Sequence, residues 1–346
     1  MFEFIATSDW HLEGLDKHYP NDGVERQLET IDRIYQYAIE NGIKYVMIVG
    51  DITDKHTMRD DTKALLCKHF VKYDEHITSI YIGGNHDWSD VSHTSMDFIK
   101  QMTDWKMLKN LKIILRAEQL TLDGIVCNLL PYPTPPVMKN KKPCLNFCHV
   151  ETAGALGDNG RPLKTDKTIG APKKDYTISG HIHLYQDLES QRFLYNGSPF
   201  QKTFGEALPK GFCHVKAKYI KDELKVIHKF IDSKPGFRLE TVIIADQGDW
   251  NKLQITPAIR YRVVVSDGIA VPADIRTRIP NIAQLNVSKN AVNIEDLDGF
   301  DVTELELLEV DPKDGLRDYL KSAGLRKAQR QQGAKIVDKI LSKIGK

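Results

Sequence analysis

Over about the first 230 residues the apolar positions follow two periods. Short apolar runs at 2–7, 45–49 and 77–82 have the length and β-branched content of buried strands. Between them, 24–40 repeats Leu28, Ile31, Ile34, Tyr35, Ala38 and Ile39 at helical spacing until Asn41-Gly42 stops it. Further helices are predicted at 62–73 and 94–102. Strand-helix alternation of this kind implies crossover connections and stacked α/β layers. From 111 onward the pattern turns to β, with runs at 111–115, 119–130, 144–150, 176–179, 193–196, 212–219 and 224–231. The Pro-rich stretch 131–143 and the Gly-rich stretch 154–170 read as loops beside strands. A Ser-Lys-Pro-Gly turn at 233–236 marks a boundary, after which 261–266, 273–278 and 282–287 read as a small β-α-β unit. The predicted division is therefore 1–232, an α/β capping domain at 237–293, an acidic linker at 294–311 and a helical segment at 312–346 with helices at 313–323 and 325–344.

Composition narrows this little. The chain has 346 residues, 41% hydrophobic and 27% charged, and no apolar run near the roughly 20 residues that span a bilayer, so a soluble protein without membrane association is expected. The chain enters a β run at Phe2 with no signal-like segment, which points to the cytoplasm. Five cysteines without a Cys-x-x-Cys pair point to free, buried thiols. The formal charge of +1 averages two opposed segments: eight acidic and no basic residues in 294–311, then eight basic residues against Asp338 in 321–346.

The chemistry lies where the apolar runs stop. Asp9 and His11 follow the first run, Asp51 the second, Asn85 and His86 the third, His149 the run at 145–148, and His181 with His183 the run at 176–178 and Gly180. In an open α/β sheet, ligands bind outside the carboxyl ends of the strands, so residues from separated segments converge there. A mixed imidazole, carboxylate and amide set suits manganese, iron or zinc better than magnesium, which prefers oxygen alone. Two divalent ions would outweigh the charges of Asp9 and Asp51 and attract a phosphodiester anion. Two ions about 3.5–4 Å apart lower the pKa of a shared water and clamp the attacking and leaving oxygens of an in-line displacement.

In this order, Asp-x-His, Gly-Asp, Gly-Asn-His-Asp, a lone His and Gly-His-x-His resemble the calcineurin-like metallophosphoesterases. That resemblance implies a four-layer sandwich of two mixed β-sheets flanked by helices. It implies one metal on Asp9, His11, Asp51 and His183, and another on Asp51, Asn85, His149 and His181, with Asp51 bridging. It makes His86 the general acid at the leaving oxygen. Asp87, Trp10 and Trp88 are read as structural, Asp87 as a turn-capping carboxylate with an orienting role toward His86 as the lesser reading. Asp-Trp-His-Leu at 9–12, Gly-Asp-Ile-Thr-Asp at 50–54, and Tyr-Asn-Gly-Ser-Pro-Phe with Phe-Gly-Glu at 195–206 are similar to the SbcD family of double-strand-break repair nuclease subunits. That likeness implies a manganese-dependent exonuclease and endonuclease acting on double-stranded DNA ends, 3′ to 5′ in polarity. The family partner is an SbcC-like ATPase docked on the C-terminal helices, in a heterotetramer built on a homodimer of this chain. The compact length suits a phage-encoded subunit working in a host cytoplasm. Asp54 stands where archaeal and eukaryotic relatives carry a histidine, so no role for that histidine carries over.

Rival readings stay open. A protein or nucleotide phosphatase of the same superfamily would use the same metal site, and a metal-bearing scaffold would need no turnover. No Gly-x-x-x-x-Gly-Lys-Ser/Thr loop is present, so ATP hydrolysis by a P-loop would have to come from a partner. Leu65, Leu66, Phe70, Phe98 and Met102 are offered equally as a dimer surface and as core.

Overall fold

A computed structural model describes residues 1–287 apart from Val91 and Pro136; the acidic linker and the C-terminal helices read from the sequence lie outside the described residues. The first sheet runs in the order β12-β11-β1-β2-β3-β4. Its parallel centre is β1 (Phe2–Thr7), β2 (Tyr45–Val49), β3 (Thr78–Ile82) and β4 (Leu111–Ile114), with β11 (Gly211–Ile220) and β12 (Glu223–Asp232) added antiparallel. A second sheet runs β5-β6-β7-β8-β10-β9. In it β6 (Ile125–Leu130), β7 (Leu145–His149), β8 (Tyr176–Gly180) and β10 (Phe193–Tyr195) are parallel, and β5 (Glu118–Leu122) and β9 (Gln186–Leu188) close the edges antiparallel.

Side-chain alternation along the strands sorts the core into two layers. From β1, Phe2, Phe4 and Ala6 face the second sheet, where they meet Phe147, Leu129, Leu145 and Ile178. Ile5, with Val46, Ile48 and Tyr81, faces the other way onto the helices α1 (Gly23–Glu40), α2 (Asp60–Tyr73) and α3 (Asp97–Asp104). The outer face of the second sheet is covered by loop residues, with Ala155, Ile182, Leu163 and Ile169 against Phe193 and Tyr195. The expected sandwich of two mixed sheets is therefore present.

Helix α1 ends as its sequence requires: Gly42, at φ +69°, donates to the Ile39 carbonyl, a left-handed conformation glycine adopts without strain. Of its expected apolar face, Ile39 is 41% exposed and the rest is buried. The run read as one strand at 119–130 is a hairpin, because Asp123 and Gly124 both take positive φ and turn the chain between β5 and β6. Leu66, Phe70 and Met102 are core residues, and Phe98, 48% exposed, is the member of the five-residue set left at the surface.

A third, parallel sheet joins β13 (Arg238–Ile244), β14 (Ile259–Val265) and β15 (Ile282–Val287), with the short helix α4 (Ile275–Arg278) before β15. It has its own core of Ile244, Trp250, Tyr261, Val263, Val265, Ile275 and Ile279. All five cysteines are free, four of them buried. No helix among the described residues is long and apolar enough to cross a membrane.

Candidate metal centre

The carboxyl ends of β1, β2, β3, β7 and β8 open into one crevice, and the residues picked out in the sequence meet there. His11 and His183 bring their Nε2 atoms to 3.0 Å of each other. His149 Nε2 lies 3.2 Å from Asp51 Oδ2 and 3.0 Å from Asn85 Oδ1, and His181 Nδ1 lies 2.9 Å from the same amide oxygen. Two carboxylates stand between these groups. Asp51 Oδ2 is 3.7 Å from His11 Nε2, while Asp9 Oδ1 is 4.0 Å from His183 Nε2 and 3.9 Å from His149 Nε2. All seven expected ligands are thus brought together. His86, the eighth site residue, is beside them, its backbone N–H donating to Asp51 Oδ1 at 2.9 Å.

The backbone is strained where these side chains emerge. Asp9, His11, Asp51 and His181 all have positive φ, between 41° and 83°. Non-glycine residues rarely sit there, and such strain persists only where the surroundings over-determine it. The turns also exclude side chains. A Cβ on Gly50 would stand 2.1 Å from His149 Nδ1, and one on Gly84 would stand 2.2 Å from Asp51 Oδ1. Asp87 ties two of these turns together: its buried carboxylate accepts from the backbone N–H groups of Asp51, Thr53 and Gly84. It caps turns, as its sequence context favours, and the His86 ring is oriented elsewhere.

Two rings are hydrogen-bonded from behind and two more face carboxylates. His149 Nδ1 donates to the Val49 carbonyl at 2.9 Å, which turns Nε2 inward, and His86 Nδ1 donates to the Asp54 carbonyl at 2.7 Å. The Asp54 carboxylate lies 3.5 Å from His11 Nδ1 and 3.1 Å from Lys202 Nζ. His183 Nδ1 faces Asp158 Oδ2 at 3.2 Å and Glu206 Oε2 at 3.4 Å. Ser8 donates its hydroxyl to the Asp9 carboxylate and accepts from Asn196 Nδ2. Carboxylates and carbonyls behind histidines fix the tautomer and raise the basicity of the inner nitrogen.

A family model described as calcineurin-like phosphoesterase matches residues 2–185, the span from β1 to the loop after β8. The chain belongs to this family. It is also similar to the SbcD subunit of nuclease SbcCD from Staphylococcus saprophyticus subsp. saprophyticus, 24% identical over 277 residues that cover 69% of this chain and 71% of that protein. Calcineurin-like phosphoesterases work with divalent metals, and the inner atoms suit such ions. Two donors each about 2.1 Å from one ion, at 90–109° to each other, stand about 3.0–3.4 Å apart. The pairs His11–His183, His149–Asp51 and His149–Asn85 fall at 3.0, 3.2 and 3.0 Å.

The electrostatics of this calcineurin-like site point the same way. Burial would lower His149 and His183, yet carboxylates overcome it: Asp51 lifts His149 to about 9, and Asp158 with Glu206 lifts His183 to about 9. His11 is instead pushed down to about 4 by burial. The pocket favours positive charge at its centre, which divalent ions supply. His11, Asp54 and His86 form a third close trio, but Asp54 is already committed to Lys202.

Asp158, Glu206, Lys210 and Lys202 were not singled out in the sequence. Asp158 lies on the loop between β7 and β8 and the other three on the loop between β10 and β11; Glu206 closes the Phe-Gly-Glu motif, which carried a family likeness but no role, and Asp158, Lys202 and Lys210 stand outside the motifs. The one available signal was the i,i+4 spacing of Glu206 and Lys210, which pair at 2.7 Å. Trp10 is core, fully buried with its indole N–H donating to Thr7 at 3.0 Å. Trp88, read as packing, is half-buried and also lines a cleft beside Asn85.

Proposed function

We propose that this chain is the nuclease subunit of an SbcCD-like complex, a manganese-dependent enzyme that hydrolyses phosphodiester bonds at double-stranded DNA ends. The observation that carries the reading is the convergence of seven donor side chains from five strand ends on two adjoining clusters. In it, Asp9, His11, Asp51 and His183 hold one ion and Asp51, Asn85, His149 and His181 the other. The position of Asp51 Oδ2, 3.7 Å from His11 Nε2 and 3.2 Å from His149 Nε2, supports its bridging role. When bound, a pair of divalent ions supplies Lewis acidity that activates water and neutralises charge on the phosphate. Manganese is favoured over magnesium by the nitrogen donors, with iron and zinc as the other candidates.

The chain's own residues do the rest. His86 donates its Nδ1–H in a hydrogen bond to the Asp54 carbonyl, which leaves Nε2, when protonated, to hand a proton to the departing oxygen. Asp87 holds the turns that carry Asp51 and Asn85, and the Asp54 and Asp158 carboxylates stand behind His11 and His183 and favour a proton on the outer ring nitrogen.

A nuclease role on DNA with an SbcC-like ATPase partner is supported by the motifs at 9–12, 50–54 and 195–206 and by the SbcD relative, and the 3′ to 5′ polarity is what the motif resemblance implies. In this reading the third sheet caps the DNA path and the segment 312–346 docks the ATPase. A two-fold dimer uses α2 and α3, with Phe98 as an exposed contact. The test is digestion of end-labelled duplex DNA with and without manganese, beside a phosphomonoester. Metal-dependent shortening of the duplex, lost in Asp51→Ala, is the expected result. Preference for the monoester would make the protein a phosphatase.

A further inference from the structure

Next to the metal cluster the crevice continues between the ends of β3, β4 and β6 into a cleft of about 660 Å³, within the usual size range of small-ligand pockets. Asn85 lines both. The other walls are mostly aromatic and apolar, with Trp88, Tyr132, Leu115, Pro131 and Pro133, and they include Asp90, whose carboxylate is taken up by the His93 ring at 2.9 Å and the Ser92 backbone N–H at 2.7 Å. Tyr132 is 42% exposed although its backbone N–H is pinned to the Gly83 carbonyl at 2.8 Å, so the ring is presented to solvent by a fixed main chain. Trp88 keeps a buried indole N–H without an acceptor. At the rim, Arg116 has no hydrogen bond or ion pair with any described residue. A mostly apolar, aromatic-walled cleft with a guanidinium at its rim, opening directly from the proposed metal centre, matches one ligand chemistry closely: a planar aromatic ring joined to an anion.

We propose that this cleft is a nucleobase subsite. It takes, by stacking on Tyr132 and Trp88, the base of the nucleotide adjoining the scissile phosphate, and Arg116 meets that nucleotide's other phosphate. The proposal rests on the nuclease reading and extends it, because it assigns sequence-tolerant substrate positioning to residues outside the ligand set. Every base presents a π-face, so such a slot grips the strand without selecting a sequence. It holds ground state and transition state alike, so its loss appears in KM rather than kcat.

The test is steady-state cleavage by the manganese-loaded full chain of two single-stranded oligonucleotides, one normal and one carrying a run of abasic tetrahydrofuran nucleotides with the same phosphates. Wild type is expected to show a KM roughly 5- to 150-fold higher on the abasic strand, the range that loss of one base-aromatic stack gives. Tyr132→Ala should raise KM on the normal strand by a similar factor, leave kcat within about twofold and lose the discrimination between the strands, while Tyr132→Phe should keep it. Arg116→Ala should raise KM on both strands. Equal KM for wild type on the two strands, or an unchanged KM in Tyr132→Ala, overturns the subsite and leaves the nuclease assignment standing. Failure of wild type to cut either strand while it hydrolyses a phosphomonoester overturns the nuclease assignment and the subsite with it.

Discussion

Behind His183 lies a charge pair that solvent does not reach. Lys210 donates to Glu206 Oε2 at 2.7 Å, and the two side chains are 1% and 3% exposed. Glu206 Oε1 accepts from the backbone N–H groups of Lys202 and Thr203, and Lys210 also donates to the His183 carbonyl and Ser198 Oγ. Removing one member strands the other. Breaking a buried pair from one side costs about 3–5 kcal/mol, whereas neutralising both members often costs much less. Lys210→Met leaves a buried carboxylate without its cation, and Glu206→Gln leaves an ammonium among neutral oxygens. At about 2–4 °C per kcal/mol for a domain of this size, each single variant should melt roughly 6 to 20 °C below wild type. The Glu206→Gln/Lys210→Met double variant should lose clearly less than the sum. Because Glu206 also faces His183 Nδ1 at 3.4 Å, Glu206→Gln should weaken manganese binding about 10- to 100-fold. Thermal melts followed by circular dichroism in chelator, where bound metal adds no stability, measure the first effect, and calorimetric manganese titration the second. Single variants melting within about 2 °C of wild type, or losses that add to within about 0.5 kcal/mol, would refute the coupled pair.

Other outcomes rest on the same geometry. Gly84→Ala places a Cβ 2.2 Å from Asp51 Oδ1 and 2.3 Å from Asp51 N, with no flexible atom to yield, so hydrolysis should fall by about 100-fold or more in a folded protein; near-normal rates would show that the turn relaxes. His86→Ser should lower kcat about 10²- to 10⁴-fold with metal content unchanged; loss of metal would instead place His86 among the ligands. His18 is pushed down to about 4 by burial, with Lys17 and Arg260 adding to it, so the unfolded chain binds its proton more readily between about pH 6.5 and 4. Stability should therefore fall as pH drops through that window, and His18→Gln should flatten the fall in chemical-denaturation curves; identical slopes would contradict it.

The convergence of the seven expected donors was legible because they cluster just after apolar runs, and the crevice of two parallel-centred sheets collects strand ends in one place. The roles of the supporting carboxylates were not, since Asp158 and Glu206 reach His183 from loops, and the Phe-Gly-Glu motif that ends in Glu206 does not say which side chain it faces. Strand β9 escaped notice because three residues, Gln-Asp-Leu, carry no apolar run, and β13 because Arg238 and Glu240 dilute its pattern just after the Pro-Gly turn. The hairpin at β5 and β6 was signalled by Asp123-Gly124, but the apolar residues on both sides made it look continuous.

The most direct measurement is manganese anomalous scattering from crystals of the full chain. Two peaks per chain are expected, one within about 2–2.3 Å of donors on His11 and His183, the other equally close to Asn85, His149 and His181, with Asp51 touching both. A single peak, or metal bound away from these side chains, would contradict the two-ion site and the phosphodiester chemistry built on it.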